Sequence, residues 1–315
     1  MEIDCPYCNN EPSDSRDHIF PSFLGGSQTA QIGKKCNNKF GHFFEAKVFL
    51  NFIPFMIFLR IHRVPAPKYV IWKDAIIHDG KSYNIDSNLV ATPYKPEVTK
   101  DFKGRIINTF GSRSFQKGII NFFKKNNVKY DVVDKSILNF KIPEFKFTFQ
   151  LDRNIRMLCV KMCVGLLRYL APDKELFSYK KIDDYEVLYD FRYHNEVEEL
   201  KVPLSHLIVV ESNKKKKSCY GIVQFYGILQ FYIDLSDRYF GDDFCFIGSL
   251  DPLTLTEDFK NSENRFHISP ANRIVHAPNH ESFEHLLSQR MNIETKNRFG
   301  EDLIKSIELG FSDKV

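Results

Sequence analysis

The sequence predicts an α+β protein, with a small cysteine-bearing unit at the N-terminus and a larger strand-rich domain of mixed α and β structure behind it. Three observations predict this. Three of the seven cysteines fall within the first 36 residues, whereas strand-like runs dominate from Tyr69 onward. Between the two lies Pro65-Ala66-Pro67, a stiff connector that separates residues 1–62 from residues 69–315. A 315-residue chain with 30 phenylalanines is also long enough, and aromatic enough, to bury a substantial core.

The elements follow in order. Cys5 and Cys8 mark a cysteine turn, after which a short strand pair is expected around Asp17 to Leu24, with Gly25-Gly26 as its turn. A helix is expected from Asn37 to about Phe52, with Phe40, Phe43, Phe44, Val48 and Leu50 mostly on one face, and Pro54 interrupting it. "YVIWKDAIIHDGKSYNI" reads as a hairpin turning at Asp79-Gly80. A short helix is expected around Ser114 to Lys125, and "EFKFTFQL" alternates as a strand. Residues 153–171 are apolar enough for a buried helix. "SHLIVVES" and "CYGIVQFYGILQFYIDL" read as strands joined through Lys214 to Lys217, and "SFEHLLSQRM" and "GEDLIKSIEL" as closing helices.

Several function classes are disfavoured at once. Seven cysteines in a chain of this length, an odd number with three in a metal-like arrangement, do not read as a disulfide framework. The apolar run from Phe43 to Leu59 contains Glu45, Lys47, Asn51 and Pro54, which are costly in lipid, so no membrane span is expected. The opening residues MEIDCPYC are acidic and polar, unlike a secretory leader, and a cytoplasmic protein is expected. Net charge is only +4, yet from Lys95 to Lys129 nine basic residues stand against Glu97 and Asp101. Clustering of that kind, with interleaved aromatics, suits phosphate contact.

The first unit carries the chemistry. CxxC spacing lets the thiolates of Cys5 and Cys8 point at one tetrahedral ion. Asp17-His18 and the stretch "KKCNNKFG" follow. With "DHIFPSFLGG" and "CNNKFG" in this order, the first 45 to 60 residues resemble the HNH endonuclease family, most closely its members in which CxxC precedes an acid-His-Ile-x-Pro stretch. The resemblance implies a ββα-metal fold, a two-stranded hairpin and a helix gripping one divalent ion. It implies that Asp17 and Asn37 bind Mg2+ or Mn2+, that His18 is the general base, and that Gln28 stands where a residue orients the histidine ring. It also implies a structural zinc site at Cys5, Cys8 and Cys36, incomplete because the fourth cysteine of the pattern is replaced by Gly33.

The residue chemistry is compatible with those roles. A neutral imidazole can take a proton from water near pH 7, and an acid and an amide suit a hard oxygen-loving cation. Lys34, Lys35 and Lys39 adjoin the helix that carries Asn37, and Lys103, Arg105, Arg113 and Lys117 lie in the basic segment, all candidates for phosphate contact. The resemblance therefore implies a metal-dependent DNA endonuclease of restriction or anti-phage type. RNA is the less favoured substrate, and a homodimer or a defence-system partner protein is an open expectation. The alternative is a degenerate module that binds nucleic acid or protein without cutting, motivated by the missing cysteine. The fourth zinc ligand is left open between a distant residue and a decayed site.

Overall fold

A computed structural model describes residues 4–58, 70–78, 80–86, 91–110, 113–129, 152–174, 180, 182–185, 187–191, 205–227 and 229–266. The strand expected at "EFKFTFQL" and the two closing helices lie outside these residues. The described residues of 1–51 and 149–283 form one compact unit, and those of 52–148 form the other.

The first unit begins with a hairpin and a helix. β1 (Ser15–His18) pairs antiparallel with β2 (Thr29–Ile32), so that His18 faces Thr29 and Ser15 faces Ile32. The strands sit further apart in sequence than expected, because Pro21 cannot donate to the ladder and Ser22–Leu24 form a helical turn instead. Gly25 closes that turn at φ 102°, and a β-carbon on Gly26 would lie 1.9 Å from the Phe20 carbonyl oxygen, so both positions demand glycine.

Helix α1 (Lys34–Phe40) starts one turn earlier than Asn37. Its first amide groups are capped by acids from the cysteine loop: Asp14 Oδ1 accepts from Lys34 N at 3.0 Å, and Glu11 accepts from Lys35 N and Cys36 N at 3.2 and 3.0 Å. A π-helical turn, Gly41–Glu45, leads into α2 (Ala46–Phe58), which runs through Pro54. Phe40, Phe44 and Val48 are buried at i, i+4, i+8 spacing, while Phe43 and Leu50, off that stripe, are exposed.

Helix α4 (Arg153–Leu170) is the spine of this unit. Asp152 caps it through Asn154 N and Ile155 N, and Pro172 follows its end. Buried on nearly every side from Ile155 to Arg168, it lies against β2 and the π turn as well as against a six-stranded antiparallel sheet. That explains why its sequence shows no polar face. The sheet runs β13-β12-β9-β10-β11-β8, from β8 (Val187–Phe191), β9 (His206–Asn213), β10 (Ser218–Phe225), β11 (Leu229–Asp234), β12 (Cys245–Leu250) and β13 (Glu257–Asn261). Two glycines let the helix settle: a β-carbon on Gly221 would lie 2.6 Å from Cys163 Sγ, and one on Gly248 would meet Leu166 and Phe259. Lys214 to Lys217 form the exposed turn between β9 and β10.

The second unit holds a three-stranded sheet of β3 (Ile71–His78), β4 (Lys81–Asp86) and β5 (Ala91–Pro93). It also holds the hairpin of β6 (Glu97–Lys100) and β7 (Ile106–Phe110), and the helix α3 (Arg113–Lys125).

Candidate functional site

Asp17 and His18 end β1, on opposite faces as strand geometry requires. His18 is partly exposed and Asp17 is buried. Asn37 lies against the same strand, its Nδ2 donating to Ser15 Oγ at 2.9 Å and to the Arg16 carbonyl at 2.7 Å. The hairpin and helix thus bring the Asn37 side chain to the strand that carries Asp17. Gln28 lies in the loop before β2 with an exposed side chain, and its backbone carbonyl accepts from Ile19 N.

The cysteine loop folds into a metal-ready cluster. Ligand atoms of Cys5, Cys8, Glu11 and Cys36 all lie within 4.8 Å of one another. Glu11 is the residue that sequence reasoning missed. It fills the space left by the absent fourth cysteine, since a β-carbon on Gly33 would fall 2.3 Å from Glu11 Cγ, Cδ and Oε1. His42, six residues beyond Cys36, is exposed and outside the cluster. Sharing of the Cys36 thiol, against the penalty of burial, lowers the Cys5 pKa to about 6, while the same pairing pushes Cys36 up. Burial opposes ionisation of Glu11, yet the N–H groups of Cys36 and Lys35 hold its carboxyl below the ordinary value. Three sulfurs and one carboxylate suit a tetrahedral zinc ion.

The loop is anchored from behind by buried arginines. Arg238 donates to the Pro6 carbonyl, and Arg168 donates to the Asp4 carbonyl at 3.1 Å. Tyr7 donates to the Lys161 carbonyl at 2.9 Å and packs edge-on against Phe40.

Beneath Asp17 lies a second charged group that the sequence did not announce. Lys161 Nζ, on α4, sits 2.9 Å from both Asp17 oxygens and donates to Glu45 Oε1; its side chain is 1% exposed. Burial raises the Asp17 pKa, with the Lys161 ammonium pulling down against it and Glu45 adding to the rise. Two carboxylates and one amide oxygen are donors of the kind a hard divalent ion takes. The cation facing Asp17 in this structure is the lysine.

The sheet also grips the hairpin. Glu257, at the start of β13, accepts from Ser27 N at 3.0 Å, Ser27 Oγ at 2.6 Å and Gln28 N at 2.9 Å. Phe20 packs against Phe259, and Gly25 meets Leu255.

Of the basic candidates, Lys34, Lys35 and Lys39 are exposed on α1. Lys103, Arg105, Arg113 and Lys117 belong to the other unit, where Arg105 is paired with Asp101 at 2.7 Å and Lys103 lies over the Phe102 ring. Cys159, Cys163 and Cys219 are buried, and burial raises their pKa values; Cys245, also buried, is pushed up to about 11. They behave as small apolar residues. Among the described residues no helix is long and apolar enough to cross a membrane.

A two-stranded hairpin and helix thus carry an acid-histidine pair and a four-donor cluster that could hold a metal ion. Residues 5–53 match the family model described as HNH endonuclease. No curated protein and no solved structure matches the chain.

Proposed function

We propose that the protein is a metal-dependent endonuclease that hydrolyses DNA phosphodiester bonds in restriction or anti-phage defence. One observation carries the reading. The segment matched to HNH endonucleases folds as a hairpin and helix with Asp17-His18 ending β1 and Asn37 bonded back to that strand.

In this reading His18 takes a proton from water, the resulting hydroxide attacks the scissile phosphorus, and the P–O bond to the leaving oxygen breaks as that oxygen regains a proton. A divalent ion at Asp17 and Asn37, Mg2+ or Mn2+, supplies positive charge at the phosphate. Gln28, exposed beside the hairpin, orients the histidine only if its side chain turns inward. Lys34, Lys35 and Lys39 meet the phosphate backbone next to the site, with Lys103, Arg105, Arg113 and Lys117 a further phosphate-binding set. Zinc at Cys5, Cys8, Glu11 and Cys36 holds α1 to the cysteine loop. Residues 69–315 direct or restrain cutting, because an unrestrained nuclease is toxic to its host.

The test is cleavage of supercoiled plasmid with Mg2+, with Mn2+ and with EDTA. His18→Ala is expected to lower metal-dependent cutting by at least about 100-fold while leaving folding and DNA affinity close to wild type. Cutting by the variant at the wild-type rate would sink the assignment.

A second reading has its own support, since Lys161 engages both oxygens of Asp17. There the module binds nucleic acid or a partner protein without turnover, DNA binding is salt-sensitive, and His18→Ala changes nothing.

A further inference from the structure

Lys161 lies more than a hundred residues beyond the family-matched segment, yet its ammonium ends inside that segment's acidic pocket. Its side chain is 1% exposed, and the carboxylates of Asp17 and Glu45 both stand against it. The main chain of Lys161 is fixed as well, by the α4 ladder and by the Tyr7 hydroxyl on its carbonyl. The backbone of the lysine is thus fixed, while its ammonium rests between two acids. A divalent ion with Asp17 as ligand needs the same carboxylate oxygens that face Lys161 Nζ at 2.9 Å. Two cations cannot share them at close range without repulsion in a site this dry.

We infer that Lys161 is a resident counter-ion that competes with the divalent metal for Asp17, so that metal enters only as the ammonium swings onto Glu45 alone. This rests on the assignment of Asp17 as a metal ligand. The pocket is then a two-position device. In one state Lys161 bridges Asp17 and Glu45, and the site is closed to metal. In the other Lys161 pairs with Glu45, and Asp17 takes the metal. Because α4 carries the lysine and lies against the sheet, anything that shifts α4 changes the metal affinity of the site. Metal and lysine are coupled through one carboxylate, and such coupling is reciprocal.

The experiment is Mn2+ titration of the full chain, read by the paramagnetic signal of the free ion, for wild type, Lys161→Met, Lys161→Met/Glu45→Gln, and each with Asp17→Asn added. Lys161→Met is expected to bind Mn2+ at least about tenfold tighter than wild type. Asp17→Asn is expected to abolish that gain. The double variant, which removes one acid along with the lysine, is expected to remain tighter than wild type despite losing a negative charge. If Lys161→Met does not fold alone, its refolding yield is expected to recover with Mn2+, since the ion replaces the lost counter-ion; failure to recover counts against the proposal.

Asp17-dependent Mn2+ binding that Lys161→Met leaves unchanged or weakens would overturn the inference and leave the metal-ligand assignment standing. Mn2+ binding indifferent to Asp17→Asn in every background would overturn both.

Discussion

Glu11 performs two tasks with one carboxylate: it caps the first turn of α1 and offers an oxygen to the cysteine cluster. Removing it is therefore expected to cost more than the roughly 1 kcal/mol of an ordinary helix cap. Glu11→Ala should lose zinc, read as metal content well below one equivalent after dialysis. Glu11→Ala/Gly33→Cys should regain it, because the new thiol enters the volume the glutamate has left, and cobalt substitution should then show stronger thiolate charge-transfer bands than wild type. A single variant that keeps its full zinc would remove Glu11 from the ligand set. At this scale the sequence was readable where residue type and spacing combine. Cys5, Cys8 and Cys36 stand out by their chemistry, and the structure gathers them. Glu11 did not stand out, since an acid three residues after a cysteine reads as a solvated loop residue until Gly33 is seen against it. Lys161 was hidden for a related reason: one lysine within an apolar run says nothing of the acids that await it.

Helices and strands were readable by periodicity, and their ends were not. The hairpin at β3 and β4, the turn at Lys214 to Lys217 and the buried helix α4 lie close to where the patterns put them. Helix α1 starts earlier than its sequence pattern suggests because its caps, Asp14 and Glu11, come from a loop 20 and 25 residues before the amides they cap. Pro54 was read as an interruption, but α2 absorbs it for the loss of one backbone hydrogen bond. Strand β9 carries a feature with a measurable consequence. His206 is fully buried against Tyr226 and Phe225, and neither ring nitrogen finds a hydrogen-bond partner among the described residues. Burial lowers its pKa to about 3, with Asp251 pulling the other way. The unfolded chain takes up the proton near an ordinary histidine pKa of about 6.5, and the folded chain does not. The folded state therefore loses about 1 kcal/mol per pH unit as pH falls from about 6 to 4. Denaturant unfolding across that range should show a shallower pH slope for His206→Phe than for wild type. Equal slopes would mean that the buried imidazole is protonated in the fold.

At the scale of the molecule, the segment matched to HNH endonucleases is tied to the rest of its unit at several points. Its cysteine loop is fastened by Arg238 and Arg168, its hairpin by Glu257 and Phe259, and its acidic pocket by Lys161. Residues 1–62 alone would leave Phe20, Phe44 and Ile32 without the surfaces that bury them, and Asp17 without its ammonium. Losing one partner of a buried ion pair costs roughly 3–5 kcal/mol, comparable with the whole stability of a small domain. The fragment is expected to be unfolded with or without zinc; a dispersed amide NMR spectrum from it would contradict this. None of these long-range ties was legible in the sequence, because each joins residues whose partners are set by topology rather than by spacing.

Those ties also impose an order in time. Glu257 grips Ser27 and Gln28 from 230 and 229 residues away, so the loop beside His18 stays ungripped while most of the chain is still being made. At ordinary synthesis rates that interval is about 10–50 s. A nascent chain holds the acid-histidine pair almost from its first seconds, yet the support for it arrives near the end. The hairpin loop is therefore completed only after translation has passed β13.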